Sequence, residues 1–328
     1  MKKRILSGMR PSGKLHLGHL YGALSNWIKL QEDYECFYFV ADWHALTTEY
    51  GNTTKISADT IDMTIDWLSA GLDPAKSTIF VQSQVPEHAE LHLLLSMITP
   101  LPWLERCPTY KEQLREIKMR DLHTYGFLGY PVLQAADILI YKADGVPVGE
   151  DQLSHLELTR EIARRFNSMY GNILKEPQAI LTKVPKMPGN DGRKMSKSYS
   201  NCVFLSDSRE NVQKTISSYI TDPARIHPTD IGHPEICPVF ALNKVFLKNN
   251  AEIETLCKEG KIGCVKCKKY LIQEINSSLE NIRIEREKLC NNRDYIVDVL
   301  KKGSLKAREE ASKTIAEVKE AVKLWNMA

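Results

Sequence analysis

The strongest constraint on this chain is the alternation of strand-like and helix-like stretches through its first half. Ile5 to Met9 is a short apolar run closed by a Pro11-Ser12-Gly13 turn, and His16 to Leu30 then reads as a helix. Cys36 to Ala41 is aromatic and β-branched, hence a strand. Ser57 to Ala70 is helical and is stopped by Gly71 and Pro74. Thr78 to Gln82 is another strand, and Pro86 to Ile98 a helix opening on a tolerated proline. The helices Tyr130 to Tyr141 and Asp151 to Tyr170 flank a short strand, Gly145 to Gly149. Such alternation predicts an α/β fold, a Rossmann-like doubly wound parallel sheet. Pro185 to Asn201 is rich in Gly, Pro, Asn and Lys and reads as a mobile loop. Beyond it strand signals become scarce. The length of 328 residues then suggests two domains, 1–200 and a mostly helical 201–328, with the last helix able to pack back on the first. Ala311, Ile315, Val318, Val322 and Trp325 share one face of that helix and are expected in a core.

Composition excludes some functional classes. The 44 Lys+Arg nearly balance the 41 Asp+Glu, so only a local basic face could serve a nucleic-acid partner. No run of about 18 apolar residues suits a membrane span. The basic start Met1-Lys2-Lys3-Arg4 runs at once into Ser7-Gly8-Met9-Arg10-Pro11, which argues against a signal peptide. A cytoplasmic location is expected, and the eight cysteines are expected as free thiols or metal ligands.

Two motifs point to triphosphate chemistry. His16-Leu17-Gly18-His19 opens a helix after the first strand, where free N–H groups and the positive end of the helix dipole meet phosphate. Gly18 lets a nucleotide approach the backbone. By itself this pair of histidines also suits a capping or solvated role. Lys194-Met195-Ser196-Lys197-Ser198 sets two lysines three residues apart on a flexible loop, able to neutralise charge as pyrophosphate leaves.

Together and in this order, the motifs resemble those of class I aminoacyl-tRNA synthetases. Gly129-Tyr130-Pro131-Val132-Leu133-Gln134-Ala135-Ala136-Asp137-Ile138-Leu139 and Val146-Pro147-Val148-Gly149-Glu150-Asp151-Gln152 resemble the tryptophanyl-tRNA synthetases, and the resemblance runs over essentially the whole chain. It implies activation of L-tryptophan by ATP with Mg2+, transfer to tRNA(Trp), and a homodimer. It assigns catalysis to His16, His19, Lys194 and Lys197. Around ATP it places Arg10, Pro11, Ser12, Gly18, His19, Gly149, Glu150, Asp151, Met187, Lys194, Met195, Ser196, Lys197 and Ser198. Asp137 would accept the indole N–H, with Tyr130, Gln134, His44, Val146, Val148 and Gln152 around the substrate. Such a bond rejects phenylalanine, because Asp137 would be left unpaired. His44 equally suits a core histidine, and Val146 and Val148 ordinary strand core. Lys111 suits phosphate or a solvated face alike. Arg10 and Gln134 stand where many relatives carry glutamine and methionine, which leaves the details of recognition open. No separate editing domain fits between the two motifs. In this resemblance residues 1–200 are the catalytic domain and 201–328 bind the tRNA anticodon.

Cys237, Cys257, Cys264 and Cys267 concentrate half of the cysteines in a short stretch. Four thiolates could hold zinc or a 4Fe-4S cluster, and only Cys264 and Cys267 form the close pair usual in zinc ribbons. The same resemblance implies the iron–sulfur cluster, as in a branch of the bacterial enzymes. Lys258, Lys261, Lys266, Lys268 and Lys269 surround it and suit RNA backbone. The alternatives are a tyrosine-specific enzyme and a non-catalytic RNA-binding paralogue.

Overall fold

The computed structural model describes residues 2–108, 110–111, 122–181 and 187–325, with the backbone alone at Ser198. Pro185 and Lys186, at the start of the expected mobile loop, lie outside the described residues, as does the Ser198 side chain.

Among the described residues five strands form one parallel sheet: β1 (Arg4–Met9), β2 (Glu35–Val40), β3 (Ser77–Val81), β4 (Gly145–Val148) and β5 (Gln178–Leu181). Their spatial order is β3-β2-β1-β4-β5, so the winding reverses between β1 and β4. Arg4 pairs with Glu35 through to Met9 with Val40, and Ile5 with Gly145. The strands are apolar on both faces, as a sheet covered on both sides requires. Ile5, Cys36, Tyr38, Val40, Ile79 and Val81 join one core; Leu6, Phe37, Phe39 and Phe80 join the other.

The helices of the first half are α1 (Leu17–His19), α2 (Ser25–Asp33), α3 (Asp42–Glu49), α4 (Ile56–Ser69), α5 (Glu87–Ser96), α6 (Leu101–Glu105), α7 (Tyr125–Ile140) and α8 (Leu153–Tyr170). There follow α9 (Arg209–Ser217), α10 (Pro238–Phe246), α11 (Asn250–Lys258), α12 (Cys264–Cys290) and α13 (Arg293–Ala321). The expected doubly wound sheet is present, with differences that have local causes. The helix read over His16 to Leu30 is interrupted by a π turn, Leu20–Leu24, which puts the small residues Gly22 and Ala23 on a cavity wall. Helix α7 begins at Tyr125 rather than Tyr130. Thr124 caps it, its hydroxyl accepting from the Phe127 amide at 3.2 Å, and Pro131 is carried inside the helix. Trp325 is not core: α13 ends at Ala321, and the indole lies beyond it, 85% exposed.

Helix α13 covers the open edge of the sheet at β3. A β-carbon on Gly303 would stand 1.8 Å from the Ile79 carbonyl oxygen, so only glycine allows the helix this close. The next residue, Ser304, accepts a hydrogen bond from the Val81 amide at 3.3 Å, satisfying an edge donor. Ala307, Ala311, Ile315 and Val318 continue the contact into the second core. Gly303→Ala should therefore force the helix off the strand and cost about 1–3 kcal/mol. Urea unfolding would show this, beside a change within about 0.5 kcal/mol for the exposed Lys301→Ala. Equal stabilities for the two variants would refute the close-packing account.

Candidate active site

A doubly wound sheet opens a crevice at the carboxyl ends of the two strands where its winding reverses. Here those ends are Met9-Arg10 and Val148-Gly149. A cavity of about 390 Å³ lies there, lined by Gly8, Met9, Arg10, Gly22, Ala23, His44, Tyr130, Gln134, Asp137, Val146, Val148, Gly149, Gln152 and His155 among others. Tyr130, Gln134, Asp137, His44, Val146, Val148 and Gln152, named from sequence, thus meet at one place. Gly8 keeps the floor open, since a β-carbon there would collide with the Phe39 ring at 2.4 Å.

Asp137 is the polar centre of the apolar wall and is 1% exposed. Its Oδ1 accepts from Gln82 Nε2 at 2.8 Å and lies 2.6 Å from His88 Nδ1; its Oδ2 accepts from Gln82 at 2.9 Å and lies 2.8 Å from His44 Nε2. His88 is fully buried and passes its other nitrogen to the Tyr141 hydroxyl at 2.7 Å. Burial alone would push the Asp137 carboxyl up, but the hydrogen bonds and charge of His44 and His88 outweigh it and hold the acid at about 2. The result is a buried carboxylate that stays ionised beside an apolar slot. Gln82, His88 and Tyr141 were missed in the sequence. The available signal was a glutamine ending a strand and a histidine among the apolar residues of a helix.

A second polar chain runs along the β4 end. The Tyr130 hydroxyl meets His155 Nε2 at 2.9 Å, His155 Nδ1 meets Gln152 Oε1 at 3.0 Å, and Gln152 Nε2 donates to Asp151 at 3.1 Å. Burial lowers His155 to about 4, so its ring is neutral near pH 7. Gly149 is backed by Asp151, whose Oδ1 would stand 2.6 Å from an added β-carbon. Glu150 and Asp151 are exposed at the rim, as is Arg10.

The histidine motif has a defined tautomeric state. The His16 ring caps α1, its Nδ1 accepting from the Gly18 amide at 3.1 Å, while the His16 amide donates to His19 Nδ1 at 3.2 Å. Burial and the fields of Lys197 and Lys194 lower His16 to about 4; burial and His16 lower His19 to about 2. Two neutral rings that each accept at Nδ1 must carry the proton on Nε2, which is left to donate. Gly18 permits the fold-back, because a β-carbon would meet His16 Cε1 at 2.8 Å.

The lysine loop reaches the same place. Lys197 Nζ donates to the Ser12 carbonyl at 3.0 Å, the Gly13 carbonyl at 2.8 Å and the Ser12 hydroxyl at 3.3 Å. Gly13 accepts this turn at a φ of +90°. Lys194 is exposed, and Ser196 is fixed by its amide on Asn201 at 2.8 Å. Met187 and Met195 are buried in the first core, and Pro11 is also buried. Met187 and Lys111 do not line the cavity, and Lys111 is exposed on the surface.

The four clustered cysteines are free thiols. Cys237 precedes α10, Cys257 lies in α11, and Cys264 and Cys267 open α12. Arg225 Nη1 lies 3.7 Å from the Cys257 sulfur and 3.8 Å from that of Cys264; Asn243 Nδ2 lies 3.1 Å from Cys267. Burial raises the Cys237, Cys257 and Cys267 thiols, the last to about 11, so they are protonated. Among the described residues no three Cys, His, Asp or Glu side chains converge on one ion. The expected four-cysteine metal site is not arranged as a cage among the described residues: Cys257 and Cys264 face Arg225, and Cys267 faces Asn243. Lys268 of the surrounding lysines is spent on the Ser217 and Tyr219 carbonyls at 2.8 and 2.7 Å.

A pH titration checks the charge at the cavity. A folded-state acidity below the unfolded value means Asp137 contributes stability above about pH 4, lost as pH falls through the folded value. His88→Leu should remove one donor and let burial raise the carboxyl, read from its carbon NMR shift. An unchanged titration would show that His88 does not hold the charge.

The family described as tRNA synthetases class I (W and Y) matches residues 1–280. The tryptophan–tRNA ligase of Thermotoga maritima is 55% identical, over 98% of this chain and 99% of that protein. That of Aquifex aeolicus is 47% identical, over 98% and 100%. Among solved structures, the tryptophanyl-tRNA synthetase of Campylobacter jejuni complexed with ADP and tryptophan is similar at a TM-score of 0.88 and 34% identity, over 98% and 100%.

Proposed function

The chain belongs to the class I tRNA synthetases for tryptophan and tyrosine, and from that membership we propose how its residues carry out the work of a tryptophan–tRNA ligase. The tryptophan carboxylate attacks the α-phosphorus of ATP. The new bond is carboxylate oxygen to phosphorus; the bond to the bridging oxygen breaks, and pyrophosphate leaves with the electron pair. A ribose hydroxyl at the 3′ end of tRNA(Trp) then attacks the adenylate carbonyl carbon; its bond to the phosphate oxygen breaks, AMP leaves with the electron pair, and the hydroxyl proton passes to water.

The observation that carries the choice of tryptophan is Asp137, an ionised acceptor buried in an apolar slot between Val146, Val148 and Gln134. An indole N–H can donate to it beside Gln82, His44 and His88; a phenyl ring cannot make that bond. Tyr130, Gln152 and His44 orient the substrate beside it. Gly149, Glu150 and Asp151 face the ribose, while Arg10, Pro11, Ser12 and Gly18 shape the rest of the nucleotide pocket. His16 and His19 present neutral Nε2–H groups to phosphate oxygens, which bind charge without a protonation cost. Lys194 and Lys197, on the loop from Met195 and Ser196 to Ser198, stabilise the charge that builds on pyrophosphate. Mg2+ bound with ATP supplies further neutralisation. Residues 1–200 form the catalytic domain, and residues 201–328 bind the anticodon.

Two finer readings concern assembly and metal. A homodimer is supported by exposed Leu93, Leu101 and Tyr125 on the neighbouring helices α5, α6 and α7, and by exposed Met97 just after α5. Cys237, Cys257, Cys264 and Cys267 have the donor set for a 4Fe-4S cluster. Arg225 Nε, a buried N–H without a partner beside Cys257 and Cys264, fits hydrogen bonding to thiolate or cluster sulfur; four-cysteine zinc is the alternative. A cytoplasmic location suits a tRNA ligase; among the described residues no helix is long and apolar enough to cross a membrane.

Exchange of labelled pyrophosphate into ATP should depend on tryptophan and not on tyrosine or phenylalanine. Asp137→Asn should raise the tryptophan KM about tenfold or more while the ATP KM holds. Exchange driven by tyrosine would sink the assignment. Protein purified without oxygen should sediment as a dimer and contain iron, in amounts lost when Cys264 is replaced by Ser; zinc without iron, or a monomer mass, decides against the corresponding reading.

A further inference from the structure

The Arg286 side chain stands near the far end of α12, about six helical turns from Cys264 and Cys267. It reaches across to α4 and bridges two carboxylates one turn apart, Nη2 to Asp62 at 2.6 Å and Nη1 to Asp66 Oδ1 at 2.5 Å. The Arg286 side chain is 12% exposed and that of Asp66 fully buried. The second oxygen of Asp66 is also used: Oδ2 accepts the Leu15 amide at 3.1 Å. Leu15 immediately precedes His16. Three and two residues earlier, the Ser12 and Gly13 carbonyls hold Lys197, whose charge burial disfavours and Asp59 and Asp66 favour. A single carboxylate therefore touches α12, the backbone of the first motif loop and the field of the lysine motif.

Stability alone does not account for it. A buried ion pair typically gains little over apolar packing, because desolvation offsets the attraction. Burial pushes the Asp66 carboxyl up to about 6 even with Arg286 opposing it, so without Arg286 the acid would lose its charge near neutral pH. The charge is maintained by α12, and it is spent on the loop.

We propose that Arg286 is a positioning residue which, through Asp66, couples α12 to the backbone at Leu15, so that engagement of tRNA by the helical region is felt where ATP phosphates bind. The inference rests on the ligase reading above. The test is pyrophosphate exchange by the full chain carrying Arg286→Gln, Asp66→Asn, both together, or Arg286→Lys, with thermal melts beside each. Asp66→Asn keeps the acceptor for Leu15, and Arg286→Lys keeps the cation, so these two guard against simple unfolding. Each of Arg286→Gln and Asp66→Asn should raise the KM for ATP about tenfold, with that for tryptophan changed less than about twofold. The double variant should be no worse than the worse single, since both cut one link. Arg286→Lys should recover part of the loss. Added tRNA should shift the ATP KM of the wild type and not that of Arg286→Gln. A merely structural role would lower the melting temperature while leaving the ratio of the two KM values alone, and that result overturns the coupling. So do multiplying single effects, or an equal tRNA shift in wild type and variant. Absence of tryptophan-dependent exchange in the wild type would remove the ligase reading itself, a separate outcome from these.

Discussion

Everything at the site follows from the reversal of winding between β1 and β4. Parallel strands added outward from β1 in both directions send their crossover helices to opposite faces, and the two connections part at the seam. The loop after Met9 and the turn after Val148 are therefore brought to the same rim, although 139 residues separate those strand ends (148 less 9). The slot below them takes its apolar walls from the strand ends and from α7. It takes its polar centre from Asp137, where a carboxylate stands among the core residues of α7.

That carboxylate and Asp66 show two ways of keeping a charge inside protein. Asp137 is surrounded by donors, Gln82 and two histidines, and burial loses to them, so the acid sits at about 2. Asp66 has Arg286 and one amide, burial wins, and the acid sits at about 6. The first arrangement suits a fixed recognition group. The second leaves the charge dependent on one partner from a remote helix. The histidines of the first motif lie on the neutral side of the same balance, and their Nδ1 atoms are committed to backbone amides.

Close packing supplies the rest of the precision. Gly303 lets α13 lie against β3, Gly8 leaves room over Phe39, and Gly18 lets the His16 ring turn back on its helix. These contacts join segments with no pattern in common, and periodicity carries no record of them. Trp325 illustrates the limit: its spacing matches the helical face, yet the helix ends four residues earlier. The π turn at Leu20–Leu24 and the early start of α7 are of the same kind, decided by a cap and a cavity wall rather than by propensity.

The sequence by itself determined the parallel α/β sheet, because strand and helix periods are local and alternate along the chain. It also identified the two motif loops and the carboxylate in α7, since each departs from the pattern around it. Only the tertiary structure decided what holds those groups. Gln82 and His88 are 55 and 49 residues from Asp137, and Arg286 is 220 from Asp66. A hydrogen bond or ion pair at such separation is fixed by how helices pack on the sheet, and it sets the charge of a buried group. The candidate site residues were therefore legible in order along the chain, while their protonation, their partners and the link from α12 to the loop at Leu15 exist only in the folded protein.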